Sequence, residues 1–506
     1  MEAIKTLIKM VSDIEFTIKA YLLAGFTWAI AAVLLATLNQ VQLFLILDLP
    51  AAFDYGYVRP LFTMSLIFGA LLSFFFAGAY YIIKNVTGEN PQLALAAWAG
   101  FKFHKLALLL GIITLFAGYN KGREYGEMTW ISDNLLALSL LLFLITAISA
   151  LKASGKSNIA ASFSIVAGAG ALIVFLLGNI GLPTGPLTSV TIFRGMEDAA
   201  IQEFYRTGVL GYFIIFPLLM LLYYFVPVYY KTPLYSERMA AFVVFAMVAM
   251  IPFAGAVGLG FSAAPAFLQT QGVFTAIALA VAVLAGGLNA QYTISRSGKH
   301  YISDSIGLLL RYGIFFLMVT AVLRALTAPF FMQARFAYTE FNLSDLTIDG
   351  LTYALAASIG AALIMTQKLT NRAMSKGTVG FAAFTFLPGA LLIFIGDIAG
   401  GLAQSGARSE TVVNNGVLEV VVRQWTDVLF ASTLYSGAEP AGQFLLSLHV
   451  LPLVGLVLIT LGTIAVSFGF YLHMAGAGTA PYADPDLINT DIIDVPAAAA
   501  TGHGAH

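Results

Sequence analysis

A protein-held redox metal centre inside a membrane draws chiefly on thiolate or imidazole donors, and this sequence is short of both. It has no cysteine, which removes disulfides, thiolate metal sites, iron–sulfur clusters and covalent haem attachment. Its six histidines are His104, His300, His449, His473, His503 and His506. A bis-imidazole centre needs two rings that face each other across one site. His300 falls in a loop and His503 and His506 in the tail, while His104 and His449 fall near opposite ends of their helices. His104 with His473 is geometrically possible, but no motif supports it. With Lys102 and Lys105 alongside, His104 reads better as an interfacial residue in a basic patch.

Charge inside apolar segments is the next signal. Arg206, Arg324, Asp349 and Asp397 interrupt or edge four hydrophobic runs. Alone, each would be costly in hydrocarbon, so such residues are expected to face a bundle interior and pair. The expected pairing sets Arg206 and Arg324 against Asp349 and Asp397, either as structural glue or as a proton or ion path. A second polar group, Arg59 with Arg123, Glu124 and Glu127, lies at segment ends. Its plain reading is capping of helix termini.

These residues sit in a chain built for lipid. Hydrophobic residues make up 59% and charged residues 10%, with mean hydropathy +0.87, against nearer a quarter charged in soluble domains. The formal net charge of −1 and the lack of a basic run give no hint of nucleic acid. Apolar runs long enough to span occur near 20–38, 61–83, 98–119, 131–151, 159–178, 207–230, 239–260, 273–294, 306–331, 347–367, 378–400 and 444–472. The expected fold is an all-α integral membrane bundle of twelve transmembrane helices. With the N-terminus inside, inner segments hold thirteen Lys and Arg against seven outside, which places both termini in the cytoplasm.

Residues 1–19 read as an uncleaved amphipathic helix on the cytoplasmic surface, and 20–472 as the membrane domain. Within the outer connection 401–442, two β-branched runs flank Asn414-Asn415-Gly416 and read as a hairpin, either a cap or a docking surface for a partner subunit. Residues 473–506 are expected to form a disordered cytoplasmic tail. No internal repeat of transporter type is evident.

Several strings are more specific. Arg59-Pro60-Leu61, Gly122-Arg123-Glu124-Tyr125-Gly126-Glu127 with Trp130, Tyr223-Tyr224-Phe225-Val226-Pro227 and Pro233-Leu234-Tyr235-Ser236-Glu237-Arg238 occur in this order. Together they resemble subunit I of cbb-type cytochrome c oxidases, within the haem–copper oxidase superfamily that also holds nitric oxide reductases. The resemblance covers roughly residues 20–400 and implies that superfamily's twelve-helix architecture. It also implies a bacterial inner (cytoplasmic) membrane and a hetero-oligomeric respiratory complex.

The family's chemistry uses six histidines: two on a low-spin haem, one on a high-spin haem and three on copper. By flanking motif those positions fall here on Phe62, Thr207, Val257, Gly258, Gly350 and Thr352. None is histidine, so no haem or copper is expected. The four intramembrane charges would then fill volume and polarity that haems occupy in the family. Relatives hold calcium near the string that contains Glu124; here the reason for such a site is weakened. The function expected is a non-redox subunit, structural or coupling, beside a cytochrome or a ligand-bearing oxidase-like partner in membrane lipid. The alternatives are a proton- or ion-conducting subunit, and an oxidase or nitric oxide reductase whose ligands lie elsewhere.

Overall fold

A computed structural model describes residues 13–44, 50, 53–88, 91–298, 304–336, 339, 341, 345–414, 417–422, 440–476 and 480–481. Among them are twelve helices long and apolar enough to cross a bilayer. They are α1 (Ile14–Phe44), α2 (Tyr55–Thr87), α3 (Pro91–Phe116), α4 (Trp130–Ser154), α5 (Ile159–Gly178) and α6 (Gly195–Tyr230). The rest are α7 (Glu237–Leu259), α8 (Ala266–Arg296), α9 (Ser305–Thr327), α10 (Thr347–Thr370), α11 (Lys376–Arg408) and α12 (Pro440–Met474). A short helix, Phe330–Phe336, follows α9.

Burial sorts the twelve into two layers. The apolar windows of α2, α6 and α10 are wholly buried, whereas the other nine bury only 39–56% of theirs. Three helices therefore form the centre and nine ring it. The ring helices turn large apolar side chains outward, Phe245 and Phe384 at 77% exposure each, as a lipid-facing surface does. Because lipid and protein interior are equally apolar, close backbone approach holds such helices together. At the α11–α12 crossing a β-carbon on Gly389 would stand 2.8 Å from the Gly455 carbonyl oxygen, so glycine on both sides sets the approach.

The structure differs from the expected segment ends, and pairing explains the larger differences. Ile14–Lys19 belong to α1 rather than to a separate surface helix: Glu15 ion-pairs with Lys19 at 3.7 Å and with Lys84, which lets charge enter the first turn. Residues 1–12 lie outside the described residues. α6 starts at Gly195, twelve residues before the expected 207, because Asp198, Glu203 and Arg206 in its first turns are all paired. α11 continues to Arg408; beyond it Ser409–Asn414 and Val417–Val422 pair antiparallel.

Another two-stranded ribbon, Gly181–Pro183 with Ser189–Thr191, lies between α5 and α6 and was not foreseen. His473 and Met474 are helical, and Ala480–Pro481 pairs with Arg372–Ala373, so the expected tail does not begin at 473. Residues 482–506 are outside the described set.

Candidate functional site

Each of the three central helices is irregular at one level, and so is α7 beside them. α2 widens over Met64–Leu71, α6 over Leu210–Ile215 and α10 over Thr347–Ala354. The wide spacing shows in the closing bonds: Leu72 N–H donates to the Ile67 carbonyl, Phe216 to Gly211 and Leu355 to Gly350, each five residues back. In α6 the cause is local, since Pro217 has no N–H to give to a regular ladder. α7 instead tightens into a 3₁₀ stretch, Gly255–Leu259, just after Pro252.

The six candidate positions track these irregularities. Phe62 precedes the wide stretch of α2 and Thr207 that of α6, while Gly350 and Thr352 lie inside that of α10. Val257 and Gly258 occupy the tight stretch of α7. Expanded turns redirect side chains and are common at functional sites.

The side chains there do not supply what an imidazole-held haem or copper needs. The space in front of Gly350 is filled, because a β-carbon would stand 2.5 Å from Leu66 Cδ2. At Gly258 that space is taken by the Glu203 carboxylate. Thr352 is fully buried and donates to the Ile348 carbonyl, and Phe62 is buried. Phe68, Phe175 and Phe213 pack edge-on or tilted, with centroids 5.5 to 6.1 Å apart, where α2, α5 and α6 meet. Among the described residues no three His, Asp or Glu side chains converge on a metal position.

Charge collects beside these positions. Arg206 Nη2 donates to Asp345 Oδ2 at 3.0 Å, and Arg324 Nη2 donates to Asp345 Oδ1 at 3.3 Å and to Asp349 Oδ2 at 2.5 Å. Glu203 lies 3.7 Å from Arg206. Among the described residues, three carboxylates thus face two guanidinium groups across α6, α9 and the start of α10. Asp397 is buried on α11 and forms no ion pair with either arginine, so the structure separates it from the residues grouped with it in the sequence. It is not without a partner. Glu203 and Asp345 were missed, although Glu203 is three residues before Arg206 and Asp345 four before Asp349, one helical face in each case.

A cavity of about 210 Å³ opens against this cluster. Thr207, Val257 and Gly258 line it with Glu203, Arg206, Arg324 and Asp345, whereas Phe62, Gly350 and Thr352 do not. Leu210, Ile215, Leu279, Val283, Leu317 and Phe394 form much of its apolar wall.

The other polar group caps one end of the bundle. Arg59 Nη2 donates to Glu124 Oε1 at 2.6 Å, so a guanidinium occupies that carboxylate. Arg123 donates to the carbonyl of Gly178, the last residue of α5, and pairs with Asp198 in the first turn of α6. It therefore holds one helix C-terminus to one N-terminus, where cationic and anionic groups respectively are favoured. Lys121 pairs with Asp133 and donates to Asn179 Oδ1 at 2.6 Å. Glu127 is buried, and loss of water pushes its carboxyl up to about 8. Burial likewise pushes the neighbouring Tyr125 phenol well up.

His104 is not interfacial. It is fully buried, its ring centroid 5.9 Å from that of Tyr21 and 5.6 Å from Phe76, and Nε2–H donates to the Phe68 carbonyl at 2.7 Å. Lys105 donates to Ser73 Oγ at 3.0 Å, and only Lys102 stays exposed, with Nζ 4.5 Å from the Trp98 ring centroid. The physical reason is placement: residue 104 is midway along α3, thirteen residues from its start. His473 instead meets Thr370 Oγ1 at 2.6 Å, so the two histidines are not brought together.

A family profile described as cytochrome c and quinol oxidase polypeptide I matches residues 17–437. The cbb3-type cytochrome c oxidase subunit CcoN1 of Stutzerimonas stutzeri is 25% identical over 412 residues, 79% of this chain and 86% of that one. The cytochrome c oxidase subunit 1 homolog of Agrobacterium tumefaciens (strain T37) is 23% identical over 360 residues, 70% of this chain and 67% of its own length. A haem–copper terminal oxidase dimer solved by cryo-EM has a chain that superposes with a TM-score of 0.68 at 13% identity, over 94% of this chain and 86% of that one. At that identity the likeness is one of fold.

Proposed function

The chain belongs to the cytochrome c and quinol oxidase polypeptide I family, and from that membership we propose that it is a haem-free subunit I: a non-redox, structural or coupling component of a respiratory electron-transfer complex. One observation carries the reading. At the six positions where motif alignment calls for imidazole, the four irregular helices present Phe62, Thr207, Val257, Gly258, Gly350 and Thr352. Leu66 and Glu203 occupy the space in front of the two central glycines. A family's fold does not carry its chemistry without the residues that perform it.

In this reading the central helices keep their places through packing and charge pairing. Electrons pass through a partner, either a cytochrome or a ligand-bearing oxidase-like subunit, and the antiparallel pair at 409–422 is a candidate contact. Both termini lie in the cytoplasm and the membrane is a bacterial inner membrane.

The test is purification of the intact complex in mild detergent, with haem quantitation, a reduced-minus-oxidised spectrum and identification of co-purifying chains. The expected result is haem accounted for by partner chains alone. Haem stoichiometric with this chain, in a preparation free of other haem proteins, would overturn the proposal in favour of an active oxidase or nitric oxide reductase. A second reading, a proton- or ion-conducting subunit, is favoured by the cavity that borders Arg206, Arg324 and Asp345. It requires that neutralising Arg324 abolish flux in proteoliposomes while assembly survives.

A further inference from the structure

The cavity beside the charge cluster has features that structural packing alone leaves unused. Side-chain surface amounting to 28% of Arg206 and 35% of Arg324 stays open, although protein surrounds both residues and both line the cavity. Each therefore contributes exposed guanidinium surface beside the cavity it lines. The bonds of Arg324 to carboxylates all run through Nη2, which leaves Nη1 and Nε as donors toward the cavity. Thr320 also lines it, is only 6% exposed, and its hydroxyl has no partner. A buried hydroxyl without a partner is costly unless something else meets it.

Three properties limit what that something is. Among the described residues the cluster holds three carboxylates against two guanidinium groups, an excess of one negative charge that disfavours an anionic head. The donors require oxygen acceptors. Apart from Thr207, Thr327, Gln333 and Tyr353 the rest of the wall is apolar, and Ala276 and Leu279 on α8 with Leu323 and Thr327 on α9 line the cavity while only half-buried, giving a way out between two ring helices to the bilayer. A dry cavity of about 150 Å³ accommodates benzene. One of about 210 Å³ takes a small polar head and the first carbons of a chain.

We propose that this cavity binds an uncharged membrane amphiphile whose head carries hydroxyl or ester oxygens, with its chain leaving between α8 and α9. The head accepts hydrogen bonds from Arg324 and exchanges one with Thr320, and Glu203 and Asp345 exclude anionic lipids. The inference rests on the cavity holding no porphyrin, as the haem-free reading requires.

The experiment uses the full chain in nanodiscs and 1-monooleoylglycerol with a mid-chain diazirine as the probe, followed by photolabelling and peptide mapping. Label is expected in peptides containing 210–215, 276–283 or 317–328, competed by unlabelled 1-monooleoylglycerol and poorly by oleic acid. Ala276→Phe, which fills the cavity, is expected to cut that labelling at least fivefold. Thr320→Val, which removes one hydrogen bond, is expected to cut it roughly two- to tenfold. Val281→Phe, at a lipid-facing position 53% exposed, is expected to leave it unchanged and so reports on folding.

Labelling of A276F equal to the native chain, or oleic acid competing better than the neutral lipid, would overturn the proposal. A Soret band of one haem per chain in the same preparation would overturn the haem-free reading and this inference together. No Soret band and no cavity labelling would sink this inference alone.

Discussion

Arg324→Met tests whether the intramembrane charges are glue. In the native chain Arg324 holds Asp349, which is fully buried, at 2.5 Å and Asp345 at 3.3 Å. Methionine keeps most of the volume and removes the charge. Three carboxylates then face Arg206 alone, and Asp349 loses the only guanidinium it meets among the described residues. Breaking a fully buried pair by removing one partner costs about 3–5 kcal/mol; with 35% of the Arg324 side chain open the cost falls to about 3 kcal/mol or less, which in a chain of this size lowers the melting temperature by on the order of 3 °C. Asp349→Asn leaves two carboxylates against two guanidinium groups and a hydrogen-bonding amide, so its cost falls below about 1.5 kcal/mol. The double variant Arg324→Met with Asp349→Leu removes both members of the pair, the buried Asp349 carboxylate included, and should recover most of the loss. The assay is thermal loss of the monodisperse species in detergent for the native chain, both single variants and the double variant. The expected order of damage is Arg324→Met first, with Asp349→Asn and the double variant well behind. If Arg324→Met melts with the native chain, or if the double variant melts no higher than Arg324→Met, the pairing does not hold the bundle and the ion-path reading gains.

Three further outcomes follow from packing and charge. Gly350→Ala should destabilise the chain by about 1–3 kcal/mol through overpacking against Leu66; Leu66→Ala in the same chain should relieve it, measured by the same melting assay. Glu127 is neutral in the fold up to about 8, whereas an unfolded glutamate ionises near 4.5. Its contribution is therefore full below about pH 4.5 and is lost as pH rises through about 8. Glu127→Gln should flatten this arm of a stability–pH profile, matching the native chain in acid and exceeding it at pH 9. Arg123→Lys cannot keep both the Gly178 carbonyl and Asp198 on one planar head. Limited proteolysis between residues 179 and 198 should accelerate several-fold, and an unchanged rate would show that the clamp is dispensable.

The spans were legible because a run of about 20 apolar residues has no other stable home. Which helices lie at the centre was not, because α2, α6 and α10 differ from the ring in neighbours rather than in hydropathy. Polar residues hid helix starts for the same reason: Asp198 and Glu203 look like loop until their partners Arg123 and Arg206 are placed. Arg206, Arg324 and Asp349 could be picked out by their position in apolar sequence, and Glu203 and Asp345 by helical spacing from them. Asp397 could not be excluded without knowing which way α11 faces. His104 was misplaced because neighbouring lysines signal an interface, yet Lys105 turns to Ser73 across α2.

The wide stretches of α2, α6 and α10 carry a consequence for how such a chain can change. An α-helix turns about 100° per residue, so a single extra residue in one turn rephases every position beyond it. Regularising Met64–Leu71 would swing the remainder of α2, through Thr87, away from the neighbours that its side chains now fit. Substituting the residue at the turn alters one contact; deleting the turn alters all those downstream. Irregularity of this kind is locked by everything packed after it, so the helical phase of α2 withstands exchange of single side chains better than the loss of one residue.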